Sequence, residues 1–314
     1  MRKLFANRNK KLQNRREEPS PTESPNSVTV SSSSVTFCNY CNEIVSRGYP
    51  TEGEPPEREV TVSGETLSIG YHRALEALLR YGKIYPCPDW DCLQKECGLT
   101  MIINRPTAEP RISRLFIGGQ RELQQYVMEL LDGILDFEIY RGKWAYTYHD
   151  RMTNYDYQSG IYIDQVDFCI NELRRNPYSR RAVIDVRHAE DVGSEHPACL
   201  QHIQFMIRDD KLECDVLFRS NDACKATFMN AFGLSILQER VAEILGVGVG
   251  KYVHRVNSFH CYEKDFPLLE GYVNRIRSGQ PTTYDYQSDW KDEMKSYTKD
   301  IMEQVKVLKY GHRD

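Results

Sequence analysis

The chain has no apolar run approaching the roughly 18 residues that a membrane span needs, and no apolar segment of a secretory signal. Charge of one sign is not in excess: 41 Lys and Arg against 45 Asp and Glu leave a formal net charge of -4. That balance gives no reason to expect nucleic-acid binding by the whole chain. The ten cysteines are irregularly spaced, which argues against a disulfide framework and for a reducing compartment. No internal repeat is visible. Together these absences exclude membrane, disulfide-scaffold and solenoid classes, and the expected location is the cytoplasm.

What is there describes an ordinary globule: 314 residues, 40% hydrophobic and 27% charged, enough to bury a real core. The amino-terminal region differs. Seven of the first sixteen residues are Lys or Arg, and residues 19–36 carry seven Ser and three Pro. With few apolar groups to offset chain entropy, residues 1–58 are expected to be a disordered tail. A transit address is the alternative, opposed by Glu17 and Glu18. Cys38-Asn39-Tyr40-Cys41 closes that tail as a CxxC, with Cys87, Cys92 and Cys97 further on. CxxC is a common zinc half-site, but the second half lacks its tight spacing, so no metal is expected.

A catalytic domain is expected over 59–280. Tyr71, Ala74, Leu75, Leu78 and Leu79 recur with helical spacing and end near Gly82, and Leu123 to Leu131 form a second stripe ending at Gly133. Ala182 to Val186 reads as a short strand. Phe232 to Leu245 is a core helix stopped by Gly246. Trp290, Met294, Tyr297, Ile301, Val305 and Leu308 predict an amphipathic helix in 281–314, packed on the domain or a partner. Helices alternating with strands define an α+β class with mixed α/β layers.

The densest chemistry lies between Pro197 and Asn230. Ile203, Phe205 and Ile207 alternate, Arg208-Asp209-Asp210-Lys211 turns, and Leu212, Cys214, Val216 and Phe218 alternate again. Period-two burial on both sides of a polar turn predicts an antiparallel hairpin. Cys199 precedes the first strand and Arg219 ends the second, so the hairpin sets a guanidinium beside a thiol. A permanent cation lowers a thiol's pKa and favours nucleophilic thiolate. A buried cysteine and a surface arginine are the competing reading.

Cys199 with Gln204-Phe205, then Arg219-Ser220-x-Asp222, Asn230 and His260-x-Tyr262, occur in an order that resembles the thymidylate synthase superfamily. Ile163-Asp164-Gln165 and Pro177-Tyr178-Ser179-Arg180-Arg181 extend the resemblance, which covers roughly Gly64 to Phe266. Leu200-Gln201 and the stretch from Tyr146 to Arg151 look most like the compact archaeal-type members. The resemblance implies the thymidylate synthase fold, a mixed sheet with packed helices. It also implies a homodimer that acts on dUMP with 5,10-methylenetetrahydrofolate or an archaeal pterin analogue. Cys199 would add to C6 of the uracil and make C5 nucleophilic, splitting one hard step into easier ones. Hydride then gives thymidylate; water gives the hydroxymethyl nucleotide.

The same resemblance distributes roles. Asn230 would read uracil N3–H and O4, favouring dUMP over dCMP, unless it merely caps the following helix. Arg219 and Ser220 would hold the phosphate, with Arg180 and Arg181 donated across a dimer interface and Arg58 a further phosphate candidate. His260 and Tyr262 match the pair that holds the sugar 3′-hydroxyl. Tyr146 matches an active-site tyrosine, Asp222 a folate and water-network position, and Gln204 joins the expected substrate contacts.

Four departures stand out. Leu200 replaces the histidine that usually follows the nucleophile. Counting back from Gly133 places Tyr126 at the usual catalytic glutamate, with Glu122 and Glu129 to either side. Proton handling would then fall to groups such as Glu129, His202 or Tyr146. The tryptophan-bearing loop is short, with Trp144 a weak substitute, and the sequence after Phe266 does not resemble the usual closing tail. The hydride-or-water outcome is therefore open, and a dUMP or (d)CMP hydroxymethylase is the alternative activity. A non-catalytic nucleotide- or RNA-binding relative is the alternative of a different class.

Overall fold

The computed structural model describes residues 58–157 and 160–311; the basic tail and its CxxC lie outside the described residues. The first elements are β1 (Glu59–Gly64), α1 (Leu67–Tyr81), β2 (Lys83–Cys87), β3 (Cys92–Ile103), β4 (Ile112–Ser113) and α2 (Gln120–Asp132). Next come α3 (Phe137–Tyr140), α4 (Tyr148–Thr153), β5 (Tyr155–Asp156), β6 (Tyr162–Ile163), α5 (Gln165–Arg175) and β7 (Val183–Asp185). The hairpin strands are β8 (Leu200–Arg208) and β9 (Lys211–Phe218), followed by β10 (Asn221–Asp222) and α6 (Thr227–Leu245). The chain continues through β11 (Gly248–Tyr262), α7 (Phe266–Arg277), β12 (Thr283–Tyr284), α8 (Lys291–Ser296) and α9 (Thr298–Tyr310).

The main sheet runs β1-β3-β11-β9-β8-β7, with β2 added to β3 and β10 added to β11. It is mixed: β1 is parallel to β3 and β11 to β9, while β3–β11 and β8–β9 are antiparallel. The expected hairpin is present. Asp209 and Asp210 turn it with φ of 50° and 57°, the left-handed pair that matches strand twist in a two-residue turn. Ile203, Phe205, Ile207, Leu212, Cys214, Val216 and Phe218 are buried, and α1, α6 and α5 pack beside one another over the sheet. Gln204, Met206 and Asp215, on the alternate face, remain half-buried.

The helical stripes fall where their spacing places them, with two differences. α6 begins at Thr227, so Asn230 lies inside the first turn and its backbone N–H bonds Ala226 (2.9 Å). It caps nothing. The Trp290–Leu308 stripe is not one helix but a π turn over Tyr286–Trp290, then α8, then α9. The break falls in Ser296-Tyr297-Thr298, a run of weak helix formers. Trp290 still packs on Phe116 and Tyr284 (ring centroids 6.0 and 5.6 Å), and Ile301 and Val305 close on Met128 and Leu135. Because β12 pairs with β4, the segment past residue 280 begins inside the body. Gly133 ends α2 at φ 60°, and His149 and Asp136 side-chain atoms stand 2.3 and 2.4 Å from where a Cβ would sit.

Candidate active site

Strand ends assemble the site. β8 and β9 pair Leu200 with Phe218, and the Arg219 N–H donates to the Cys199 carbonyl (2.8 Å). β10 then pairs in parallel with β11, Asn221 beside Phe259 and Asp222 beside His260. On the other side of β11, Tyr262 pairs with Gln94 and His260 with Glu96 of β3. Cys199, Arg219, Ser220, Asp222, His260 and Tyr262 thereby come to one end of the sheet's central strands.

Arg219 is fixed across the mouth of the hairpin. Its Nε donates to Ala198 O (3.1 Å), and its Nη2 to Pro197 O (2.8 Å) and Cys199 Sγ (3.5 Å). The guanidinium favours thiolate, as the hairpin geometry predicts, but it does not win. Burial pushes the Cys199 thiol above its ordinary range, and Arg219 only partly offsets it. Cys199 and Arg219 share the wall of a cavity of about 740 Å³ with Tyr146, Ser220, Tyr262 and Trp90. A second cavity of about 490 Å³, lined by Asp222, Lys225 and Lys264, shares Trp90 and Tyr262 with the first. A third of about 280 Å³, lined by Tyr126, Glu129, Trp144 and Tyr148, shares Tyr146.

His260 is almost fully buried. Its Nδ1 faces Ser258 O (3.0 Å) and Ser220 Oγ (3.4 Å), while Nε2 is buried without a partner. A buried ring nitrogen without a partner suits a ligand hydroxyl. Tyr262 packs edge-on to His260 (4.7 Å) and to Trp90 (6.3 Å), and burial holds its hydroxyl up to about 12. The Tyr146 hydroxyl is also raised by burial to about 12. Tyr148 accepts from Leu200 N–H (3.3 Å). Asp222 Oδ1 accepts from the Cys224 and Lys225 backbone N–H groups (3.0 Å each), and burial raises its carboxyl.

Asn230 lies behind the cavities. Its Oδ1 accepts from the Tyr126 hydroxyl, and its Nδ2 donates to Asn221 Oδ1 (3.2 Å). Among the proton-handling candidates, Glu129 has its carboxyl raised by burial and receives Gln125 Nε2 (2.8 Å). His202, on β8, pairs with Asp185 of β7, away from the cavity walls described above.

Other expected residues stay apart. Gln204 points to the β7 side, where Nε2 donates to Arg180 O (3.0 Å). The Arg181 guanidinium grips Glu172 Oε1 (3.0 and 2.7 Å) and Arg180 is exposed; neither lines the Cys199 cavity. Arg58 pairs with Glu96 (2.7 Å), whose other oxygen accepts from Ser258 Oγ (2.6 Å). Sequence reasoning did not single out Trp90, Asn221, Tyr252 or His254. Only Asn221 carried a signal, lying inside the Arg219-to-Asp222 motif.

Among the described residues there is no group of three or more His, Cys, Asp or Glu able to hold a metal ion, and no helix long and apolar enough to cross a membrane.

Fold and cavity together define a cysteine-centred site at the strand ends of a mixed sheet. A thymidylate synthase family profile matches residues 119–314. A provisionally named thymidylate synthase of Methanocaldococcus jannaschii is 38% identical over 216 residues, covering 66% of this chain and 93% of that protein. One from Methanosarcina barkeri, named with the same reserve, is 29% identical over 218 residues, 68% of this chain and 95% of that protein. Thymidylate synthase of Bacillus licheniformis is 27% identical over 157 residues, 50% of this chain and 54% of that protein. The chain belongs to the thymidylate synthase family, and the archaeal relatives match over nearly their whole length.

Proposed function

We propose that the protein methylates dUMP at C5 with a methylene-carrying reduced folate, through a covalent bond between Cys199 and C6. The observation that carries this reading is the Arg219 guanidinium 3.5 Å from Cys199 Sγ, on the wall of a cavity of about 740 Å³. Cys199 is mostly protonated at neutral pH, since burial raises its thiol. Arg219 stabilises the thiolate as it forms and attacks C6. Charge then builds on uracil O4, where an Asn230 N–H not used by Asn221 is available to donate. Ser220 and Arg219 suit the phosphate, and the unpaired His260 Nε2 suits the sugar hydroxyl.

The second cavity fits a reduced folate. Trp90, 64% exposed, offers an aromatic face, Asp222 a carboxylate, and Lys264 a cation for a glutamate tail. The folate supplies the one-carbon unit and, for thymidylate, the hydride. Trp90, Tyr262 and Asp222 would hold it beside the nucleotide and keep water from the reacting carbon.

Wild-type protein with dUMP labelled at C5 by tritium and methylenetetrahydrofolate should release tritium. Cys199→Ala should reduce release at least about a thousandfold while still binding dUMP. Residual release near wild type removes the covalent mechanism. A hydroxymethyl product with normal release would assign water in place of hydride.

The protein is further proposed to act as a homodimer, with Arg180 and Arg181 reaching the partner's phosphate. The half-buried sheet face around Gln204 and Met206 supports an interface. Mixed Cys199→Ala and Arg181→Glu chains should then regain activity, because the Arg181→Glu subunit keeps its own Cys199 and receives intact arginines from its partner; no rescue would assign the arginines to their own subunit.

A further inference from the structure

Behind the cavity, five polar side chains from four elements form one continuous run of hydrogen bonds. The Tyr126 hydroxyl donates to Asn230 Oδ1, and Asn230 Nδ2 donates to Asn221 Oδ1 (3.2 Å). Asn221 Nδ2 meets His254 Nε2 (3.1 Å), and His254 Nδ1 meets the Tyr252 hydroxyl (2.8 Å). An amide nitrogen only donates, so His254 Nε2 accepts and the ring proton sits on Nδ1. Nδ1 then donates to Tyr252. All four bonds run the same way, from Tyr126 to Tyr252.

The opposite direction would also satisfy every member. Tyr252 would donate to His254, His254 to Asn221, Asn221 to Asn230, and Asn230 to Tyr126. Reversal requires both amides to turn over, exchanging the oxygen and nitrogen of Asn230. Uracil and cytosine present opposite donor and acceptor patterns at N3 and at position 4, so the two orientations of Asn230 suit different bases. The direction of a buried bond chain is therefore equivalent to a choice of base.

We propose that Tyr126, Asn221, His254 and Tyr252 are positioning residues that lock the Asn230 amide in its uracil-reading orientation and so exclude cytosine. The inference rests on the reading of Asn230 as a base contact. Tyr126 occupies the place where the family usually has a catalytic glutamate, and a neutral donor there holds the amide oxygen without adding charge. Packing keeps the parts in place. Tyr126 Cε1 lies 3.1 Å from where a Cβ on Gly233 would stand, so the glycine makes room for the ring. Phe218, next to Arg219, stacks on His254 at 4.8 Å and 24°. Burial pushes His254 down to about 3 and Tyr126 well above its usual range, so no member of the chain becomes charged near neutral pH.

Calorimetric titration of the full chain with dUMP, dCMP and 2-deoxyribose 5-phosphate tests this. Tyr126→Phe removes one oxygen and should cut the dUMP-to-dCMP affinity ratio about tenfold, leaving the affinity for deoxyribose 5-phosphate unchanged. His254→Leu should do the same. His254→Gln, whose amide accepts from Asn221 and donates onward, should restore most of the ratio. A role in packing alone would weaken both nucleotides equally and leave the ratio alone. A Tyr126→Phe ratio within about twofold of wild type overturns the proposal, even if the histidine variants do not fold. If wild type binds neither nucleotide, the functional reading itself fails and this inference falls with it; if wild type discriminates and Tyr126→Phe does too, only this inference fails.

Discussion

The two ends of the site are built by opposite means. At the thiol end, Cys199, Arg219, Ser220 and Tyr262 line an open cavity, and a permanent cation stands 3.5 Å from the nucleophile. At the base end, Asn230 is buried in a run of neutral groups that ends on Tyr252. The thiol end is lined by a thiol and a guanidinium; the base end holds its amide with the Tyr126 hydroxyl. In the proposed function, reactivity rests on a charge near solvent, where it can be screened. Selectivity, in the same proposed function, rests on hydrogen-bond direction in a dry interior, where an unmatched donor or acceptor is costly. Phe218 joins the ends, since it precedes Arg219 in the chain and stacks on His254.

The comparison breaks most visibly at Asn230. Asn230→Asp turns the donor facing O4 into an acceptor, which repels uracil and matches the amino group of cytosine. Preference for dUMP over dCMP should fall by about tenfold to a hundredfold or reverse, measured as the ratio of kcat/KM values, with phosphate affinity retained. Wild type turning over dCMP better than dUMP would remove Asn230 as the reader.

A smaller effect is expected in the pH profile. The thiol is raised by burial and pulled back by Arg219. Because the thiolate is the reactive form, kcat/KM should climb as pH rises through the thiol's titration. Arg219→Gln removes the downward pull, so the rising limb should move to higher pH in addition to any loss of phosphate affinity. An unmoved limb would show that the guanidinium serves phosphate alone. Tyr126→Phe, by contrast, should leave the limb where it is.

Legibility in the sequence followed the same division. The hairpin was readable because period-two burial flanks an Asp209-Asp210 turn, and register alone then joins Cys199 to Arg219. The direction of the thiol's shift was not readable, since it depends on burial beneath residues distant in sequence, Tyr146 among them. The first turn of α6 starts three residues before Asn230, so the competing capping role that one dimension left open disappears in three. Tyr126, Asn221 and the β11 pair Tyr252 and His254 come from three elements, and each alone reads as a core aromatic or a polar strand residue. Trp90 lies on the short turn between β2 and β3, which no local pattern marked as part of a cavity. The C-terminal stripe was visible as periodicity, but the break at Ser296-Tyr297-Thr298 was not, because propensity is a weak prior against packing.

The central claim is that Cys199 bonds to the pyrimidine during the reaction. Incubation with 5-fluoro-dUMP and methylenetetrahydrofolate tests it directly, because fluorine at C5 blocks proton loss and should hold the covalent complex for mass spectrometry. The account predicts a peptide containing Cys199 heavier by the nucleotide and the one-carbon carrier, with Cys214 and Cys224 unmodified. An unmodified Cys199, or the added mass on another cysteine, would contradict it.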